Sequence, residues 1–409
     1  MRSKIVGSVF ILIGAAIGAG MLALPLVSAA LGFRYATILL IIIWLLMTLT
    51  ALMTLEVNLA FKPYQNSFST MARETLGRTG QIITWITYLL LLYATTASYI
   101  AGNASLLDEL LKTFFNINVP SWIDATGFTL VFGGAVFLST RAVDYFARFL
   151  LSIKGFLLII VLAVLMPYID LHKLAVRQDS VKYVWAAAPI FINAFGFHFV
   201  IPSISNYCNN HARTLKKIII LSSTIPLFIY IIWLLASFGI IPLTGNLSFT
   251  SIAHEQSSVG GFVHTLGSLA DNKYVWFSIN GFSNIAMTTS FLGVGLGLFD
   301  FLADGFKRKN NYFGRLQTAL ITFIPPLIFA LFCKDGFIVA LEYSAFFAVI
   351  LEIFLPAFMV YKLRQNPSLQ SSYRVPVNEK LLLIILSILG SFIMTLVVAN
   401  RLGLLSVLK

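Results

Sequence analysis

The chain has 409 residues, of which 58% are hydrophobic and only 11% charged, with a mean hydropathy of +0.89. A water-soluble domain carries roughly 25% charged residues, so the composition excludes a soluble globular protein and points to one embedded in a bilayer. The net charge of +12 reads as membrane topology rather than nucleic-acid binding, because basic residues gather in the cytoplasmic loops of membrane proteins.

About 20 apolar residues cross a bilayer. Eleven segments qualify, near 5–31, 34–61, 81–110, 123–140, 147–168, 183–208, 216–242, 275–303, 315–333, 336–361 and 381–402. They predict an all-α integral membrane protein of 11 transmembrane helices. Met1-Arg2-Ser3-Lys4 and Ser28-Ala29-Ala30 resemble the ends of a cleavable signal. The apolar run between them is too long for one, and many spans follow it. Of the 28 Lys and Arg residues, eighteen fall on the side of the N-terminus, nine on the other, and Lys154 within the fifth span. This bias predicts a cytoplasmic N-terminus and, for an odd helix count, a C-terminus on the outer side. The polar connections, near 62–80, 243–273 and 363–380, are too short for a soluble domain. Cys208 and Cys333 match no metal-ligand spacing.

Two spans in corresponding places are interrupted. The first carries Gly14-Ala15-Ala16-Ile17-Gly18-Ala19-Gly20, followed by Pro25. The sixth carries Asn193-Ala194-Phe195-Gly196-Phe197-His198, followed by Pro202. Non-helical backbone at membrane depth is tolerated only where it is buried in protein or lines a cavity. Paired broken helices are how many secondary transporters build a site at the bilayer midplane. Helices 1 and 6 are therefore expected to be broken. Residues 1–170 and 171–362 would form two inverted repeats of five helices, and 363–409 a linker and an eleventh helix. The alternative for the first run is a small-residue packing face between helices.

Breaking helix 1 near Gly18 would expose amides of Ala19 and Gly20 to an anion, while freed carbonyls around Ala15, Ala16 and Ile17 could bind an ammonium. At the second break, Asn193, Phe195, Gly196, Phe197 and His198 lie at the same depth. The rings could stack on a flat substrate, and His198 could exchange a proton or simply bond a carbonyl. Lys154 is the sharpest single residue. An uncompensated lysine at the bilayer centre costs roughly 2.5–3.5 kcal/mol on insertion scales. Snorkelling toward the interface is its bland alternative, while a buried ammonium can replace a bound sodium ion and load and release a proton. Glu56 is expected to pair with a base at the inner end of span two. Asp300 and Asp304 are expected to form a salt-bridge cluster with Lys307 and Arg308. Thr288, Thr289 and Ser290 could ligate a cation or bond their own helix. Glu342 and Glu352 in span ten offer a further proton site.

At Ile17-Gly18-Ala19-Gly20-Met21, Phe195-Gly196-Phe197-His198 with Pro202-Ser203, Thr289 through Asp300, and Gly314-Arg315-Leu316-Gln317-Thr318, the chain resembles the hydroxy/aromatic amino acid permease family of the amino acid–polyamine–organocation superfamily. The resemblance covers essentially the whole chain. It implies the leucine-transporter fold and proton-driven uptake of aromatic amino acids, tyrosine first and tryptophan second, across a bacterial inner membrane. The proton is then the coupling ion, with no other cofactor and no metal. Lys154 matches the helix-five lysine that fills a sodium position in sodium-independent relatives of that fold, with Thr289 and Ser290 expected beside it. Tyr93, Tyr99 and Phe291, with Phe195, Phe197 and His198, are the expected side-chain pocket. The alternatives are an amino-acid sensor that does not transport, an enzyme acting on lipid-type substrates, and a metal-ion carrier of the same fold. The oligomeric state is not legible.

Overall fold

The computed structural model describes the chain except for residues 1, 64–66, 177–179, 255–258, 309–310, 334 and 409, and the side chains of 2–4 and 175–176. Among the basic residues counted for orientation, Arg177, Lys309, Lys334 and Lys409, with the side chains of Arg2 and Lys4, lie outside the described residues. The described residues are helical with no strand: α1 Arg2–Ala16, α2 Ala19–Ser28, α3 Gly32–Asn58, α4 Phe68–Phe115, α5 Ser121–Leu138, α6 Thr140–Leu165, α7 Leu171–Val176, α8 Val184–Asn193, α9 Ile201–Tyr207, α10 Ala212–Ile240, α11 Phe249–His254, α12 Val259–Leu269, α13 Lys273–Gly305, α14 Tyr312–Phe332, α15 Gly336–Ala348, α16 Leu355–Gln365 and α17 Glu379–Arg401. Between α15 and α16 the chain does not leave the helix but widens into a π-helical turn, Val349–Phe354.

Among the described residues, ten helical stretches are long and apolar enough to cross a membrane, and Ile5–Ala16 is a shorter apolar helix. One of the ten, Ala19–Asn58, spans 40 residues, about 60 Å at the helical rise, twice the thickness of a hydrocarbon core. It folds back on itself. A short 3-10 turn, Ala29–Leu31, ends at Gly32, whose φ of 73° lies in the left-handed region that a residue without Cβ enters freely. The chain then returns as α3.

Polar side chains close the helix ends. Ser67, Ser139, Asn272, Asn311 and Asn378 each accept a hydrogen bond from an amide of the following first turn, satisfying donors that have no partner within the helix. Inside the bundle, α4 packs along α15, α13 and α14, α10 against α1 and α3, and α13 against α6. One buried ion pair pins the far end of the bundle. Arg364 grips Glu56 with both arms, Nε to Oε1 at 2.7 Å and Nη2 to Oε2 at 2.8 Å. The amide of Val375 donates to the same carboxylate at 2.7 Å, and Ser371 Oγ to the Glu56 carbonyl at 2.6 Å, so the segment after α16 is folded back onto α3. Asp300 and Asp304 form no ion pair among the described residues: Arg308 donates instead to Gln317 (2.7 Å), and Arg315 to the carbonyls of Val136 and Phe137.

Candidate functional site

The helical path is interrupted between α1 and α2. Ile17 still bonds back to Ile13, at 2.8 Å, but Gly18 leaves the helical region (φ −148°, ψ −142°) before α2 starts. A helix that stops inside a bundle leaves carbonyls without partners. Here α6 supplies one: the buried Lys154 donates Nζ to the Ile17 carbonyl at 2.7 Å and to the Gly14 carbonyl at 3.2 Å. Lys154 is 3% exposed, so it does not snorkel.

The second interruption follows α8. Asn193 and Ala194 close the helix with a turn, Gly196 donates to the Asn193 carbonyl (3.3 Å), and a 3-10 turn, His198–Val200, leads into α9. The two interruptions touch. A Cβ placed on Gly20 would stand 3.1 Å from Ala194 Cα and 3.2 Å from its nitrogen, so α2 comes this close to the second break only because residue 20 is glycine. Tyr230, fully buried on α10, bridges both. Its hydroxyl lies 2.9 Å from the Ala16 carbonyl and 2.8 Å from the Ala194 carbonyl, and its ring meets Phe195 edge-on at 5.5 Å.

Between the interruptions lies a cavity of about 70 Å³, room for a few waters. Ala15, Ala16, Gly18, Ala19 and Gly20 line one side, Asn193 and Gly196 the other, and α4 contributes Thr95 and Tyr99. The first amides of α2, which have no acceptor within their own helix, stand at this wall. A Cβ on Gly18 would come 3.0 Å from Ser290 Oγ and 3.2 Å from the Tyr99 hydroxyl, so the polar groups of α13 and α4 reach the break. Asn193 is fixed by donating to the Leu341 carbonyl (2.6 Å) and accepting from Ser344 (3.3 Å), whose hydroxyl also meets Thr95 at 2.9 Å. The arrangement offers amides, hydroxyls and one carboxyl around a small space.

That carboxyl is Glu352, in the π turn; it lines the cavity opposite Gly196. His198 lies behind it, fully buried, with Nε2 2.9 Å from Thr50 Oγ1.

Other residues singled out from sequence lie elsewhere. Phe195 packs on Tyr230, and Phe197 stacks on His198 at 5.4 Å within a separate apolar cluster with Leu12, Leu55 and Ile218. Phe291 packs between Phe128 and Phe323, and Tyr93 donates to the Ile321 carbonyl at 2.6 Å. Thr289 bonds its own helix at Ile285, and Thr288 donates to Asn103 at 3.2 Å. None of these six residues lines the cavity, nor does the Ile17 side chain. Sequence reasoning missed Tyr230, Thr95, Ser344 and Phe199. For Ser344 and Thr95 the signal is helical spacing: Leu341, Ser344, Ala348 and Glu352 form one stripe, as do Leu91, Thr95 and Tyr99, each repeating every three or four residues. Glu342, the other carboxylate of this stretch, instead accepts from Asn400 and Arg401 at the end of α17. Among the described residues no three His, Cys, Asp or Glu side chains gather into a possible metal site.

The sequence matches the tryptophan/tyrosine permease family over residues 1–397. It is 37% identical to tyrosine-specific transport system 1 of Haemophilus influenzae, covering 98% of both chains. It is 33% identical to a tryptophan-specific transport protein of the same organism, over 91% of this chain and 90% of that one. Among solved structures, a manganese transporter of Eremococcus coleocola superposes with a TM-score of 0.67 at 15% identity, covering 98% of this chain and 88% of that chain. At that identity the likeness is one of fold.

Proposed function

The chain belongs to the tryptophan/tyrosine permease family, and from that premise we propose that this transporter imports aromatic amino acids, tyrosine before tryptophan, by proton symport. The observation that carries the reading is the cavity framed by residues 15–20 and by Asn193 and Gly196. Its volume suits the head group common to all α-amino acids, and the relatives named for tyrosine- and tryptophan-specific transport support the substrate class.

The α-carboxylate docks on the first amides of α2, near Ala19 and Gly20, where the helix dipole favours an anion. The aromatic side chain extends past Tyr99 and Phe199, and the cavity widens to admit it. Lys154, with Thr289 and Ser290 on the adjacent α13, links coupling to the first interruption: its ammonium takes the place of a bound cation by holding the Gly14 and Ile17 carbonyls.

Eleven crossings follow if α1 with α2, α8 with α9, and α15 with α16 each count as one. The first five, within 1–170, and the next five, within 171–362, form the inverted repeats of a leucine-transporter-type fold. Alternating access is rocking of one helix group against another around the shared site. The protein sits in a bacterial inner membrane with its N-terminus cytoplasmic and C-terminus periplasmic. Uptake of radiolabelled tyrosine into proteoliposomes tests the reading. Accumulation driven by an imposed pH gradient is expected, and its absence overturns symport.

A further inference from the structure

Glu352 is 1% exposed, and its carboxyl approaches a basic group without a close hydrogen bond to it. Oε1 lies 3.6 Å from His198 Nδ1, while Oε2 and His198 Nδ1 are both buried without a hydrogen-bond partner. Both carboxyl oxygens stand 3.5 Å from the place a Cβ on Gly196 would take. The group thus faces bare backbone of the second interruption and the cavity beside it. Among the described residues, no lysine or arginine pairs with it.

The elements packed around the π turn are α3, α4, α15, α16 and α17. From α3, Thr50 meets His198 at 2.9 Å, and from α4, Tyr99 stands across the cavity. On α15, Glu342 is engaged by Asn400 and Arg401 of α17. On α16, Arg364 is committed to Glu56. Lys154, the remaining buried cation of the site, gives its ammonium to the end of α1.

A buried carboxylate with an empty acceptor is costly, and far less so when neutralised. One proton on the Glu352–His198 unit makes it neutral overall, whether as two uncharged groups or as an ion pair. Without that proton a lone negative charge faces the cavity. We propose that Glu352 and His198 together hold the transported proton, so that the pocket closes over substrate only when the pair is loaded. This rests on the symport reading above, and adds where the proton rides.

The test compares two measurements in proteoliposomes: tyrosine accumulation driven by an imposed pH gradient, and tyrosine counterflow without a gradient. For one proton per substrate, a gradient of about one unit supports at most about tenfold accumulation. Glu352→Gln keeps the shape of the loaded carboxyl. Its accumulation ratio is expected to fall to about 1, the level of no coupling, read against whatever counterflow the variant itself retains. His198→Gln is expected to do the same, and carries the test if Glu352→Gln is not recovered folded. Wild-type accumulation in either folded variant overturns the proposal. Loss of counterflow together with accumulation in folded Glu352→Gln also overturns it, assigning the carboxylate to the substrate ammonium instead. If the wild-type protein itself shows no gradient-driven accumulation, the symport reading fails first.

Discussion

Replacing Tyr230 with phenylalanine removes one oxygen and leaves the ring against Phe195 at 5.5 Å in place. Among the described residues, that oxygen is the only side-chain atom that touches the carbonyls of both interruptions, at 2.9 Å from Ala16 and 2.8 Å from Ala194. A hydroxyl carries one proton, so the two contacts together amount to about one hydrogen bond rather than two. Leaving a buried acceptor without its donor costs about 1–3 kcal/mol, which corresponds to about 5–150-fold in an equilibrium constant. Because the bond ties the two sides of the cavity together, the cost falls on the arrangement that holds substrate. The concentration of tyrosine giving half-maximal counterflow is therefore expected to rise by about 5–150-fold in Tyr230→Phe. Counterflow isolates this effect, since it needs no driving gradient. Half-saturation equal to wild type, in a variant that purifies as a folded species, would refute the idea that this hydroxyl fastens the two breaks in the binding state.

Lys154→Met deletes the donor to the Gly14 and Ile17 carbonyls and is expected to abolish gradient-driven tyrosine uptake; retained concentrative uptake removes Lys154 from coupling. Gly20→Ala presses a methyl against the Ala194 backbone at 3.1 Å, where no side chain can yield. A cost of about 1–3 kcal/mol is expected for such overpacking, read as a lower thermal unfolding temperature in detergent, and unchanged stability would show that the two breaks separate easily. Arg364→Met leaves Glu56 buried without its bidentate partner. Breaking a buried pair costs about 3–5 kcal/mol, so thermal unfolding should move down clearly, and a wild-type midpoint would argue that the clamp is not part of the stable core.

The architecture is legible from sequence to the extent that it depends on hydropathy alone. Twenty-residue apolar runs can only be helices in a bilayer, and both the all-helical chain and its transporter family follow from stretches that read directly. Counting is harder: Ala19–Ser28 and Gly32–Asn58 form one continuous apolar stretch whose fold-back depends on the single left-handed glycine at 32. The candidate site divides in the same way. Glycine runs mark where backbones can come close, so residues 15–20 and Gly196 stood out. The direction a ring turns is decided by tertiary packing, and that is why Phe195 and Phe197 lie in apolar clusters while Phe199 lines the cavity. Tyr230 lies 214 residues from Ala16 and 36 from Ala194. No local pattern announces a contact at such separations.

The wide turn at Val349–Phe354 takes one residue more than an α-helix needs for the same advance, and one residue is about 100° of helical rotation. It works as a vernier between two anchors. On one side the stripe ending at Glu352 keeps its azimuth toward the cavity, and on the other Arg364 is brought round to face Glu56. A chain one residue shorter across 349–354 would relax into regular α register and could satisfy only one of them. The length of this segment is therefore as constrained as its composition.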